Sequence, residues 1–323
     1  AGAAARVAPQ GDGCGALDDD GLPGDLRCTG LYSDFTSLTV DPALLEFKPG
    51  FELWSDGARK TRWVLLPPGT KIDVRDMNGW VFPVGTRFFK EFRLELDGRE
   101  RRVETRVLFK RGAGDWAFAK YVWSEDGTSA RRVTGSIKPV AGSEYEAPAD
   151  ATCGMCHRGS RDRVLGFGAV LLAAPEATGL TYTELLEREL LEGPAGAASA
   201  LQIPGDALAR DAIGRLHVGC GVACHNAGGL YRLLQLRVDV TDGQAPGRVE
   251  DTRVYRTGVG RPSGGSGHGA YRILPGSPER SAVFRRMDVR GSGQMPPVGT
   301  RARDVESLDV IGRWIREMAP PTP

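Results

Sequence analysis

The chain has 323 residues, 41% hydrophobic and 26% charged, with a mean hydropathy of -0.28; this is the composition of a folded globular protein, not of a disordered or membrane-embedded one. Its 42 Lys and Arg residues nearly cancel its 41 Asp and Glu residues, which leaves no field for a polyanion and excludes nucleic acid and anionic membrane as electrostatic partners. No uninterrupted run of about 18 apolar residues occurs, so no membrane span is expected.

The opening Ala1-Gly2-Ala3-Ala4-Ala5 has the small-residue character left by signal-peptide cleavage, and a periplasmic or secreted location is expected. Residues 1–30 are rich in Gly, Ala and Asp and read as an extended or loop-like N-terminal arm. Cys14 and Cys28 lie close together within it and outside the two motifs described below. They suggest a disulfide, with two unrelated thiols as the alternative. Such a bridge would contribute about 3 kcal/mol in the chain-entropy model and would persist only in an oxidising compartment.

Residues 31–145 read as a β-rich domain. Phe92, Leu94 and Leu96 alternate with Arg93, Glu95 and Asp97, and Val103, Thr105, Val107 and Phe109 repeat that period of two. Asp97-Gly98 between these runs marks a tight turn, and Pro67-Pro68-Gly69, Asn78-Gly79 and Asp126-Gly127 punctuate the rest at antiparallel spacing. The fold class expected is multidomain α+β: an antiparallel β-sandwich or barrel-like domain, then a mainly α-helical part.

Residues 146–205 carry the first chemical motif, Cys153-Gly-Met-Cys156-His157. Attachment of haem c needs two thiols that reach both vinyl groups of one ring and a His directly after the second Cys to bind the iron, and this spacing meets the rule. Zinc is the alternative, but a tetrahedral site needs four ligands where the motif supplies three. Arg158, Arg161 and Arg163 follow, as partners of haem propionates or as a solvated basic face. Thr181 and Glu184 form a capping pair for a helix with Tyr182, Leu185, Leu186 and Leu190 on one stripe, ended by Gly193-Pro194.

Residues 206–323 begin with a helix from Asp206 to near Cys220 and reach a second motif, Cys220-Gly-Val-Ala-Cys224-His225. It has three residues between its cysteines, so the extra residue must bulge if both thioethers are to form, and Gly221 would permit that. A single thioether or a structural metal are the alternatives. A Gly-rich loop around His268 follows, and a last helix from Asp304 to Met318 carries Val305, Leu308, Ile311, Ile315 and Met318 on one face.

Residues 206–318 resemble the class I cytochrome c core in the order of their parts: a helix with Gly214, the Cys-His motif, Asn226-Ala-Gly-Gly, Gln294-Met295-Pro-Pro-Val-Gly-Thr300, and a helix with Leu308, Ile311, Trp314 and Ile315. That resemblance implies Met295 as second axial ligand, closely crossing terminal helices with an aromatic at the crossing, and a potential raised relative to bis-His ligation. The whole chain is similar to a bacterial secreted family in which a β-rich N-terminal half precedes cytochrome-like segments, on Leu53-Trp-Ser-Asp-Gly-Ala58 and Phe82-Pro-Val-Gly-Thr86. This likeness implies no particular reaction, and two residues are usual where the second motif here has three.

For the distal position of the first iron the candidates are His217, His268 and Met77, or no ligand. His217, three residues before Cys220, would bring the two haems close together. The function expected is a dihaem electron carrier working with a redox partner protein. The alternatives are a peroxidase-like dihaem oxidoreductase with a small-molecule substrate at an open first iron, and a haem redox or ligand sensor. Isolated carboxylates such as those of Trp54-Ser55-Asp56 and Glu144-Tyr145-Glu146 suggest no chemistry of their own. No Gly-Xaa-Ser-Xaa-Gly elbow, phosphate loop or His-Glu-Xaa-Xaa-His motif is present, so hydrolase and nucleotide-dependent functions lack a chemical core.

Overall fold

The computed structural model describes residues 14–137, 143–264 and 269–319. A short antiparallel ribbon of β1 (Tyr32–Asp34) and β2 (Thr39–Val40) leads into β3 (Leu45–Lys48), β4 (Arg59–Leu65) and β5 (Ile72–Asp73). The long strands follow as β6 (Arg87–Leu96), β7 (Arg99–Gly112) and β8 (Asp115–Trp123), with β9 (Ala130–Arg132) behind them. Two further strands, β10 (Thr178–Gly179) and β11 (Leu191–Glu192), come from beyond the first Cys-His motif. The main sheet has the order β10-β3-β4-β6-β7-β8-β9 and is antiparallel throughout, while β11 pairs in parallel with β5.

The expected sandwich or barrel takes a different form. The seven-stranded sheet ends at β10 and β9 without closing, and it is the middle layer of three. One face presents Trp63, Phe89, Val107, Ala119 and Tyr121 to Leu22, Leu26 and Leu31 of the N-terminal segment. The other presents Val64, Phe88 and Trp116 to a core that runs on through Ile213, Val310 and Trp314 of the helical region. Strands carrying adjacent apolar residues, as Phe88-Phe89 does, must be covered on both sides, and here chain segments do this where a second sheet was expected.

Residues 14–30 form a loop-like segment pinned by a disulfide. Cys14 and Cys28 are bonded with their Cα atoms 5.7 Å apart, and Leu22 and Leu26 are fully buried. Tyr121 donates to the Pro23 carbonyl at 2.7 Å, and Arg132 reaches Asp18 and Asp20. From Leu22 onward the arm is part of the core.

The helices are α1 (Asp150–His157), α2 (Ala169–Ala173), α3 (Tyr182–Glu187), α4 (Ala207–Leu216), α5 (Arg253–Gly258), α6 (Ala282–Asp288) and α7 (Val305–Glu317). Asp206 caps α4 through the Ala209 amide at 2.8 Å, and Asp304 caps α7 through that of Ser307 at 3.0 Å. Thr181 caps α3 as expected, but the helix stops at Glu187 because Leu191–Glu192 leave to pair with β5, whose open backbone groups offer them partners. α4 packs on α7, and Arg215 joins them through Glu306 at 2.6 Å and Ser307 at 3.1 Å. Among the described residues no helix is long and apolar enough to cross a membrane.

Candidate functional site

The first motif occupies the end of α1, so Cys153, Cys156 and His157 are carried on one short helix. The His157 Nδ1 is hydrogen-bonded to the Arg163 carbonyl. That carbonyl is aimed by a loop which Asp162 pins to the sheet: its carboxylate accepts from the Phe82 amide at 2.7 Å, Trp116 Nε1 at 3.0 Å and Lys110 Nζ at 2.6 Å. A His that donates Nδ1–H to a carbonyl keeps the Nε2 lone pair free for a metal. Burial lowers its pKa to about 4, so the imidazole is neutral at pH 7. Phe118 of β8 packs edge-on to the ring, at 5.0 Å between centroids.

The second motif begins where α4 widens into a π turn over His217–Gly221. The Val222 amide reaches the His217 carbonyl and that of His225 reaches the Cys220 carbonyl, both five residues back and both at 2.9 Å. The extra residue between the cysteines is therefore absorbed by a wider helical turn, the form in which a one-residue insertion is usually carried at a functional site. Gly221 matters for a reason other than the bulge foreseen: a Cβ there would lie 2.5 Å from the backbone of Leu236 and Arg237. Asn226, the residue after the motif, locks the turn by donating to the Gly221 carbonyl at 2.7 Å. His225 has the same arrangement as His157, with Nδ1 3.1 Å from the Leu234 carbonyl, and its ring stacks on Tyr231 at 5.2 Å.

The two motifs touch. A Cβ on Gly159 would fall 1.7 Å from the Ala223 carbonyl oxygen, and the thiols of Cys156 and Cys224 are in hydrogen-bond contact. That contact draws the Cys224 thiol below its ordinary value. Cys220 is partly buried against the helical core, and burial pushes its thiol up to about 12. None of the four motif cysteines is in a disulfide.

Between the motifs and the sheet lies a cleft with an empty volume of about 1950 Å³, counting the space open to solvent. Cys153, Cys156, His157 and Cys224 line it from one side, Phe88, Leu108 and Phe118 from the sheet, and Pro296–Thr300 and Tyr231 elsewhere. The sheet register adds something the sequence reading missed: Arg62 stands opposite Lys90, Lys90 opposite Arg106, and Arg106 opposite Lys120. All four line the same cleft. Alternation along each strand was visible in the sequence, but only the register brings these cations into one row.

The remaining candidates are distributed unevenly. Pro296–Thr300 line the cleft and Met295, next to them, is half-buried with its amide on the Arg286 carbonyl at 2.8 Å. His217 and Met77 border a different, smaller pocket with Trp80. The His217 Nδ1 accepts the Val238 amide at 3.0 Å, so its proton sits on Nε2. His268 lies outside the described residues. Arg158, Arg161 and Arg163 do not line the cleft; Arg161 pairs loosely with Asp76. Trp54 and Asp56 hold the backbone of Arg301 and Ala302, at 2.9 Å from Asp56 Oδ1 to the Arg301 amide, and so tether the end of the Met-Pro-Pro segment to the β region. Among the described residues no three His, Cys, Asp or Glu side chains converge as a bare metal ion requires.

No family model, no curated protein and no solved structure matches this chain.

Proposed function

We propose that this protein is a periplasmic or secreted c-type cytochrome that carries two covalently bound haems and transfers single electrons to and from a redox partner protein. The observation that carries the reading is one largely apolar cleft lined by Cys153, Cys156 and His157 of the first motif and by Cys224 of the second, with the His Nδ1 of each motif tied to a backbone carbonyl and Nε2 left over. Cys153 and Cys156 would hold the first haem with His157 as axial ligand. Cys220 and Cys224 would hold the second, with His225 and Met295 as the residues that would bind its iron. The iron of each haem, when bound, supplies a one-electron couple. The protein's part is to fix the imidazoles as neutral ligands, to exclude water with the Phe88, Leu108 and Phe118 wall, and to keep the attachment points in contact. The class I cytochrome c likeness of residues 206–318 is supported by the packing of α4 on α7 and the buried Trp314. Export is supported by the Cys14–Cys28 disulfide, which an oxidising compartment would preserve.

A second reading is favoured by one observation: His217 and Met77 border a pocket other than the cleft. His217, with its proton on Nε2, is withdrawn as the distal ligand of the first haem, which leaves His268 or an open iron. An open iron would make the protein a peroxidase-like oxidoreductase or a ligand sensor.

The test is intact and peptide mass of the protein matured in a cytochrome c-producing host, with the reduced spectrum before and after carbon monoxide. Two haem additions, one on each motif, support the cytochrome reading. A Cys156–Cys224 disulfide in place of thioethers would overturn it. With both haems present, no carbon monoxide shift favours the electron carrier, and a shift in about half the haem favours the open-iron reading.

A further inference from the structure

The row Arg62, Lys90, Arg106 and Lys120 is unusual on its own physical terms. Directly opposed residues of adjacent strands have Cβ atoms about 4.5–5.5 Å apart, and like charges in those positions repel. Four cations in an unbroken cross-strand row, facing inward, need negative charge from somewhere. Three of them have it. Arg62 pairs with Glu52 at 2.8 Å. Arg106 pairs with Glu104 at 2.5 Å. Lys120 is 3.8 Å from Asp150 and donates to the carbonyls of Gly135 and Pro148 at 2.6 and 2.7 Å.

Lys90 has neither a hydrogen bond nor an ion pair among the described residues; its ammonium rests 5.0 Å above the Phe92 ring. Burial first, and then the charges of Arg62, Lys60 and Arg106, push its pKa well below the ordinary lysine value. The sheet therefore leaves the Lys90 amine in the cleft with no counter-ion among the described residues, and a carboxylate seated beside it would restore its charge.

The neighbouring row shows what would fit. One step along the same strands, in the same register, stand Val64, Phe88, Leu108 and Phe118, with His157 against Phe118. This face of the sheet is thus an apolar row bordered by a cationic row. That pattern matches a flat apolar ring system with carboxylates along one edge. The row belongs with the first motif, because Phe118, two residues before Lys120 on the same face of β8, packs against His157, and the row lines one cleft with Cys153, Cys156 and His157.

We propose that this cation row seats the propionate carboxylates of the first haem, with Lys90 as the group that completes its charge pairing there. The proposal rests on the cytochrome reading above and assigns a positioning role to residues of the β region. It also accounts for the sheet's place beside the motifs: the β region supplies the floor and the anion-binding edge of the first haem site.

The test compares wild type, Lys90→Met and Lys90→Arg by haem content, spin state and potentiometric titration of each haem. All three proteins are expected to carry two low-spin or unchanged-spin haems per chain. Removing the positive charge leaves a propionate unneutralised and favours ferric iron, so Lys90→Met should lower the first haem's potential by about 59 mV, a tenfold change in a one-electron equilibrium. The second haem should move less, and Lys90→Arg should restore the wild-type value. Unchanged potentials with two haems per chain would overturn the proposal and leave the cytochrome reading standing. A first haem that turns high-spin in Lys90→Met also overturns it, by making Lys90 an iron ligand. The third contrary result is a wild-type potential that responds to added acetate, with that response but not the acetate-free potential lost in Lys90→Met; the row would then be a site for a free anion. A wild-type protein without haem would overturn both readings together.

Discussion

Asp162 and Lys110 meet 2.6 Å apart with side chains only 4% and 2% exposed, and through this pair the sheet fixes the loop that orients His157. Asp162 also gathers the Phe82 amide and Trp116 Nε1, so its carboxylate closes three separate accounts of buried polarity. Asp162→Asn would leave Lys110 charged and unpaired in the interior, which costs about 3–5 kcal/mol. We expect a lower denaturation midpoint of that order and, if the protein carries the two haems proposed, loss of His157 from the first before His225 leaves the second on heating. Simultaneous loss at an unchanged midpoint would contradict the role given to the pair.

If Met295 binds the second haem's iron as proposed, it should be visible in the spectrum. Met295→Ala is expected to abolish the long-wavelength sulfur-to-iron charge-transfer band of the oxidised protein while leaving haem mass intact. A retained band would remove Met295 from the iron.

Gly159 sets how closely the two motifs approach. Gly159→Ala places a methyl where the Ala223 carbonyl oxygen now lies, 1.7 Å from the added atom. The backbone must move, at a cost of about 1–3 kcal/mol for overpacking of this kind. Thermal unfolding should show the loss, and intact mass should show fewer chains with both haems attached. Full dual attachment at wild-type stability would mean that the contact can relax freely.

Asp20 gives a pH signature on the opposite face of the sheet. Burial alone would raise its pKa, but the hydrogen bond and charge of Arg132 outweigh it and hold the carboxyl below its ordinary value. A depressed carboxylate pKa stabilises the fold above the unfolded value of about 3.9 and ceases to do so as pH falls through the folded value. The wild type should therefore exceed Asp20→Asn in stability at pH 7, by about 1 kcal/mol or less for a partly exposed pair. The difference should shrink below about pH 4 and vanish in stronger acid. A gap that persists in acid would place the effect in packing.

The residues proposed for haem attachment, Cys153, Cys156, His157, Cys220, Cys224 and His225, were visible in the sequence because they are local patterns. The caps Asp206, Asp304 and Thr181 were local too, and they start helices where expected. What escaped reading depends on contacts distant in the chain. The helix after Thr181 was overextended because its terminator is a strand partner at Ile72, about 120 residues away. The sandwich was expected because alternation describes one face, whereas Phe88-Phe89 serves both. The cation row needed four strands in register, and the mixed-charge strands that carry it look solvated until they are paired.

β10 and β11 have a consequence for the order in which the molecule can be assembled. Both come from the stretch between the two cysteine pairs, yet they complete β3 and β5, far earlier in the chain. A polypeptide emerging vectorially would present the unpaired side of β3 as a bare template for other chains until residue 179 followed. By then the first cysteine pair has already appeared. Proteolysis between the first cysteine pair and β10 would accordingly leave an open sheet edge on one fragment and two orphan strands on the other, not two self-sufficient modules.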